Sequence, residues 1–191
     1  RRDNYGVFNA MNFQIMDKYK NEFISDRNFV KNIESQFNFE FDSNPMIAQF
    51  PYLNFPESPG IQSMGNYEQV QGYLHSDRLH WSFGSIRGRE SDAWWRVLTT
   101  KPIKDQIETL QLAGFSGLLI NRNGYEDNAS KIEEEIAEIL NTNPSISQNK
   151  ILSFFKLTPT GNKTHIPPVF SGFHDWEGPI GSFAWANNNS K

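Results

Sequence analysis

Hydrophobic positions along the chain change period several times, and the changes mark out its elements. Near the start, Ile15, Met16 and Tyr19 fall on one helical face. A second helical pattern follows, capped by Asp26, in which Phe29, Val30, Ile33 and Phe37 recur at helical spacing. These predict N-terminal covering helices over residues 1–45. From Met46 the period shortens. Met46 to Phe50 is a compact apolar run that stops at Pro51 and gives way to a proline-stiffened loop through Gly60, so it reads as a strand and its trailing loop.

The same alternation then repeats. Asn66 is placed to cap a helix with Tyr67, Val70 and Leu74 inward, and Leu79 to Phe83 reads as a second strand running into the loop from Gly84 to Arg89. Asp92 is placed to cap a short helix carrying Trp94, Trp95 and Leu98. Pro102 suits the first turn of another, with Ile103, Ile107 and Leu110 facing the core and Gly114 closing it. Residues 116–120 make a third strand. Ile132, Ile136, Ile139 and Leu140 form the clearest amphipathic helix, and residues 151–157 a fourth strand. Strand and helix therefore alternate four times, which predicts an α/β core over residues 46–158. Its sheet is expected to be mainly parallel, built of about four βα units, as an open three-layer sheet or part of a barrel. Beyond Thr158 the composition turns to Pro, Gly, Thr and His. The segments 167–173 and 181–186 read as the start of a β-rich extension over residues 159–191.

Composition narrows the chemistry. A length of 191 residues fits one domain. A net charge of −4, from 18 basic and 22 acidic residues, gives no basic field to attract nucleic acid or an anionic lipid surface. No apolar run approaches the roughly 20 residues of a membrane helix, so a water-soluble piece is expected. The opening Arg1-Arg2-Asp3, without an initiator methionine, reads as a processed or excised start. The absence of cysteine excludes disulfides, thiolate metal sites and a cysteine nucleophile. His75, His80, His165 and His174 have no metal-ligand spacing, so neither a metal nor a cofactor is expected.

In parallel sheets ligands lie beyond the carboxyl ends of the strands, so the loops after the predicted strands carry the candidate site. They offer Tyr52 and Glu57, then Arg87, Arg89, Glu90 and Asp92, then Arg122, Tyr125 and Asp127. Glu57 and Asp127 are the carboxylate pair that glycoside hydrolysis would require. Surface ion pairing or helix capping is the commoner use of such groups. The Gly84–Glu90 loop matches no dinucleotide or Walker pattern, and pairing of its arginines with Glu90 and Asp92 accounts for it without a ligand. Of the adjacent Trp94 and Trp95, one ring is expected to point outward as a sugar-stacking platform, which makes Trp94 a candidate binding residue.

Several strings together, 49–57, 72–76, 79–84, Gly88-Arg89 and 114–122, resemble the extracytoplasmic C-terminal region of multi-spanning bacterial envelope proteins of the sulfatase-like, phosphoglycerol-transferase-like or glycosyltransferase-associated kind. Residues 172–178 resemble the opening of a β-sandwich that ends some of them. The resemblance implies a membrane-anchored parent chain, an extracytoplasmic location (periplasm or cell surface), and a part in envelope glycan assembly or modification with a glycan or other small polar ligand as partner. One position departs from that pattern: Asn121 stands where it has an acidic residue. A sulfatase nucleophile motif is also absent. Three readings follow, namely a carbohydrate-binding domain, a glycoside hydrolase or transferase using paired carboxylates, and a structural interaction domain.

Overall fold

The computed structural model describes residues 4–39 and 45–160, with side chains from Met16 onward except Lys18. It is an α/β fold on one open, five-stranded mixed sheet in the order β2-β1-β3-β5-β4. The strands are β1 (Met46–Phe50), β2 (His80–Trp81), β3 (Phe115–Asn121), β4 (Ser145–Ile146) and β5 (Leu152–Lys156). Helices α1 (Asn4–Ser35) and α2 (Gln71–His75) precede β2. Helices α3 (Glu90–Leu98) and α4 (Ile103–Leu112) precede β3, and α5 (Ser130–Leu140) follows it.

The expected same-direction core is present at β1, which pairs in parallel with both β2 and β3. The fourth predicted strand is a correction, because β5 runs antiparallel to β3 and to β4. The strand that completes the β3–α5 unit is β4, a two-residue segment after Pro144. The chain then turns back through a hairpin and inserts β5 between β3 and β4. Two residues are too few to give a period, so the sequence shows the return strand and hides the outgoing one.

The N-terminus also differs. A single 32-residue helix replaces the two expected, about 48 Å long at 1.5 Å per residue. Asp26 lies inside it, buried, where Asn149 Nδ2 donates to its carboxylate at 3.0 Å. The second half of α1 covers the sheet through Phe29, Val30 and Ile33, whereas Met16 and Tyr19 are exposed. In the second unit, residues 68–70 form a 3₁₀ turn ahead of α2, and the inward residues are Gly72 and His75. Tyr67 and Leu74 face solvent, opposite to expectation. The predicted β-rich extension falls, apart from residues 159 and 160, outside the described residues, as do His165 and His174.

Two apolar clusters sandwich the sheet. On one face Met46, Ala48, Phe50, Leu118 and Ile120 pack beneath α3, α4 and α5, with Trp95, Ile107 and Ile136 fully buried. On the other, Ile47, Leu119 and Phe154 meet α1. Gly117 is required on this second face: a Cβ there would lie 2.5 Å from the Phe154 ring.

Candidate functional site

Strand order places a switch point at β1, whose neighbours β2 and β3 lie on opposite sides. In such sheets this is where a crevice for ligand opens. Here the chain fills it with its own residues. Met64 and Gln69 are buried there. Gln69 Nε2 donates to the carbonyl of Pro51 at 2.5 Å, Gln49 Nε2 donates to the carbonyl of Gln69 at 2.7 Å, and Asn123 accepts from the amide of Ser63. Asn121 donates to Glu68 at 3.0 Å and its side chain accepts from the amide of Asn123, so it closes the end of β3. The candidate surface is displaced outward, onto the loops after β1 and β2.

Those two loops are clasped. Phe55 N donates to the Ser85 carbonyl and Arg87 N to the Phe55 carbonyl, both at 2.8 Å, a short parallel bridge beyond the sheet. Beneath it lies Asp92, in the first turn of α3 and buried. It is not the helix cap expected from its position, since Arg89 occupies the N-cap. Instead its carboxylate reaches back to accept from Gly88 N at 2.8 Å, as well as from Tyr52 Oη at 2.7 Å and Arg96 Nε at 2.9 Å. Gly88 sits at φ +79°, a region that favours glycine, and so can aim its N–H at the carboxylate. Burial works to raise the Asp92 pKa, but the three donors outweigh it and hold the carboxyl below its ordinary range. Burial, then the neighbouring carboxylate, pushes the Tyr52 phenol up. The pairing of Arg87 and Arg89 with Asp92 expected from the sequence is thus replaced by an i,i+4 pair with Arg96.

The remaining predicted residues distribute around this knot. Tyr52 stacks on Trp95, with centroids 5.5 Å apart and planes within 9°. Arg87 donates to the Glu57 carbonyl at 3.3 Å. The Asn54 amide oxygen, in the orientation that satisfies its neighbours, accepts from Arg87 Nε at 2.8 Å and Arg96 Nη2 at 3.1 Å, while its nitrogen donates to Ser58. Glu57 and Glu90 are exposed. Trp94 is half-buried, stacked on Phe115 and edge-on to Trp95, and packs with the core.

The third loop makes a separate constellation. Arg122 forms a two-pronged pair with Glu133 at 2.8 and 2.6 Å, and Ser153 donates to the same carboxylate, tying the end of β3 to α5 and β5. Tyr125 packs against the core, and burial raises its phenol pKa. Asp127 accepts from the amide of Lys131 at the start of α5. Tyr52, Arg87, Asp92 and the backbones of Glu57 and Arg89 therefore belong to one assembly, whereas Arg122, Tyr125 and Asp127 serve the α5 junction.

Sequence reasoning missed Asn54, Phe55, Tyr67, Ile86 and Arg96. The four-residue spacing of Asp92 and Arg96 on a predicted helix was a usable signal. Phe55, Tyr67 and Ile86 are 37%, 45% and 38% exposed, and the first two rings meet edge to face with centroids 6.5 Å apart. These apolar groups stand beside Arg87 and Glu57 on the clasped loops. Among the described residues no group of three or more His, Asp or Glu is placed to hold a metal, and no helix is long and apolar enough to cross a membrane.

No family model matches the chain, and neither a curated protein nor a solved structure matches it.

Proposed function

We propose that this chain is a carbohydrate-binding domain, in an extracytoplasmic part of a membrane-anchored bacterial envelope protein concerned with glycan assembly or modification. The observation that carries the binding reading is the clasped-loop surface. Exposed Phe55 and Tyr67 share the clasped loops with Arg87 and with the exposed Glu57, which offers the ring faces and orienting polar groups that sugars require. The envelope setting rests on the resemblance of residues 49–57, 72–76, 79–84 and 114–122. Binding is favoured over hydrolysis by the placement of the carboxylates. Asp92 is saturated by three donors, and the carboxylate pair that hydrolysis would use is divided, Glu57 standing on the clasped loops and Asp127 at the start of α5.

A glycan array probed with the 191-residue chain tests this reading. A defined set of envelope-type glycans should bind, and Tyr67→Ala and Arg87→Ala should each abolish the signal while leaving the melting temperature within a few degrees. Absence of any signal from the intact chain, or a signal indifferent to both substitutions, contradicts it.

A further inference from the structure

A second surface lies at the far edge of the sheet, away from the clasped loops. Ser147 N donates to the Leu152 carbonyl at 2.8 Å, so these two residues form a hydrogen-bonded pair of the β4–β5 hairpin. Antiparallel alternation then turns the backbone N–H and C=O of Ile146 away from β5, toward the open edge. Among the described residues nothing pairs with that edge. Natural sheets commonly blunt such edges with lysines or inward charges. β4 is short and follows Pro144 but carries neither, and Ile146 is 48% exposed. Beside it runs a groove of about 830 Å³ between α5 and β4, with Ala137, Pro144 and Ile146 among its apolar lining and Glu134 and Glu138 among its acidic lining.

The charges select the occupant. Glu133, at the same groove, is neutralised by Arg122, but Glu134 and Glu138 form no salt bridge among the described residues. They stand four apart on α5, where like charges repel. Glu138 lies in the last turn, where negative charge opposes the helix dipole and no basic residue compensates it. An added strand bearing cations would satisfy the open backbone groups and these two carboxylates together.

We propose that the β4 edge and the α5 groove dock an extended segment of a partner protein whose every second side chain faces the groove, with both basic and apolar residues among those groove-facing positions. The segment adds a strand beside β4, its apolar groups resting on Ile146 and Ala137 and its cations reaching Glu134 and Glu138.

The test is an amide NMR titration of the full chain with a capped peptide in which lysine and isoleucine take turns at every second position with serine between them, and with a control in which glutamate replaces lysine. The Ile146 amide and those of the second half of α5 should shift with the basic peptide and not with the acidic one. Reversing both charges, Glu134→Lys with Glu138→Lys, should weaken binding about tenfold or more, the scale expected of two exposed pairs turned repulsive. Ile146→Pro, which deletes the outward N–H, should also weaken it. All three positions are exposed, so unchanged melting curves separate lost docking from lost folding. The proposal is overturned by an unmoved Ile146 amide, by equal binding of the acidic peptide, or by undiminished binding to the charge-reversed variant. Concentration-dependent shifts at Ile146 without peptide also overturn it, by assigning the edge to a second copy of the chain.

Discussion

The two faces of the sheet are held by different means. The face beneath α3, α4 and α5 is mainly apolar and aromatic, with Trp95 at its centre against Phe50, Tyr52, Trp94 and Phe115, and its buried polar groups Asp92, Glu133 and Ser153 belong to the loop clasp and the Arg122 junction. The face beneath α1 and α2 mixes apolar side chains with buried polar ones: Gln49, Asn121, Asp26, Glu34 and His75. Glu34 fixes α1 by accepting from the amides of Asp77 and Arg78 at 2.8 and 2.7 Å and from Lys31. Asp26 ties the same helix to Asn149. Apolar burial is indifferent to small displacements, whereas a buried hydrogen bond exists in one register only. The first face thus supplies most of the stability, and the second specifies where a long helix docks.

Trp95→Ala should have the largest effect, about 3 to 5 kcal/mol in urea denaturation, because it empties a fully buried site and removes the ring that supports Tyr52. A loss under 1 kcal/mol would deny the aromatic face its role. Asp92→Ala should come next, at about 2 to 3 kcal/mol, since Gly88 N, Tyr52 and Arg96 all lose an acceptor. It should also abolish glycan binding in the array by releasing the loop clasp. Glu34→Ala should cost about 1 to 2 kcal/mol, read as a lower denaturation midpoint, by freeing two amides of the turn before β2.

A smaller effect concerns pH. His75 is buried beside the Phe23 ring at 4.5 Å, and among the described residues its Nε2 has no hydrogen-bond partner. Burial lowers its pKa, and the Arg27 and Lys31 charges add to this. A folded-state pKa below the unfolded value means that the unfolded chain binds the proton better. Stability should therefore fall as pH drops below about 6.5, until the folded form also protonates. Lys31 on the same helix is paired to Glu34 and Asp77, and the carboxyl pKa values of both partners are lowered, so their loss belongs to more acidic conditions, below the carboxylate range. Melting curves of the chain and of His75→Phe between pH 7.5 and 5.5 separate the two. The parent should lose more melting temperature over that interval than the variant, which keeps His80, whose pKa burial also lowers, and parallel profiles would remove His75 from the account.

Much of this contrast was legible before the fold. Periods of 2 and 3.6 located β1, β3, β5, α4 and α5, because each buries one continuous apolar stripe or run. The α/β class followed from their order. Direction did not, since β5 looks the same whether it returns parallel or folds back from a two-residue β4. The N-terminal break at Asp26 was misplaced for a related reason: an acidic residue reads as a cap when its partner, Asn149, lies 123 positions away. Tyr52, Arg87 and Asp92 were found from their place after strands. Phe55 and Tyr67 were not, because an exposed aromatic has the same sequence signature as a buried one.

The account turns on the difference between the faces, and residue-resolved amide hydrogen exchange of the intact chain measures it directly. It predicts that amides of α1 exchange by a local opening well below the global unfolding free energy, while those of β3 and α4 exchange only by global unfolding. Equal protection of α1 and α4 would contradict it.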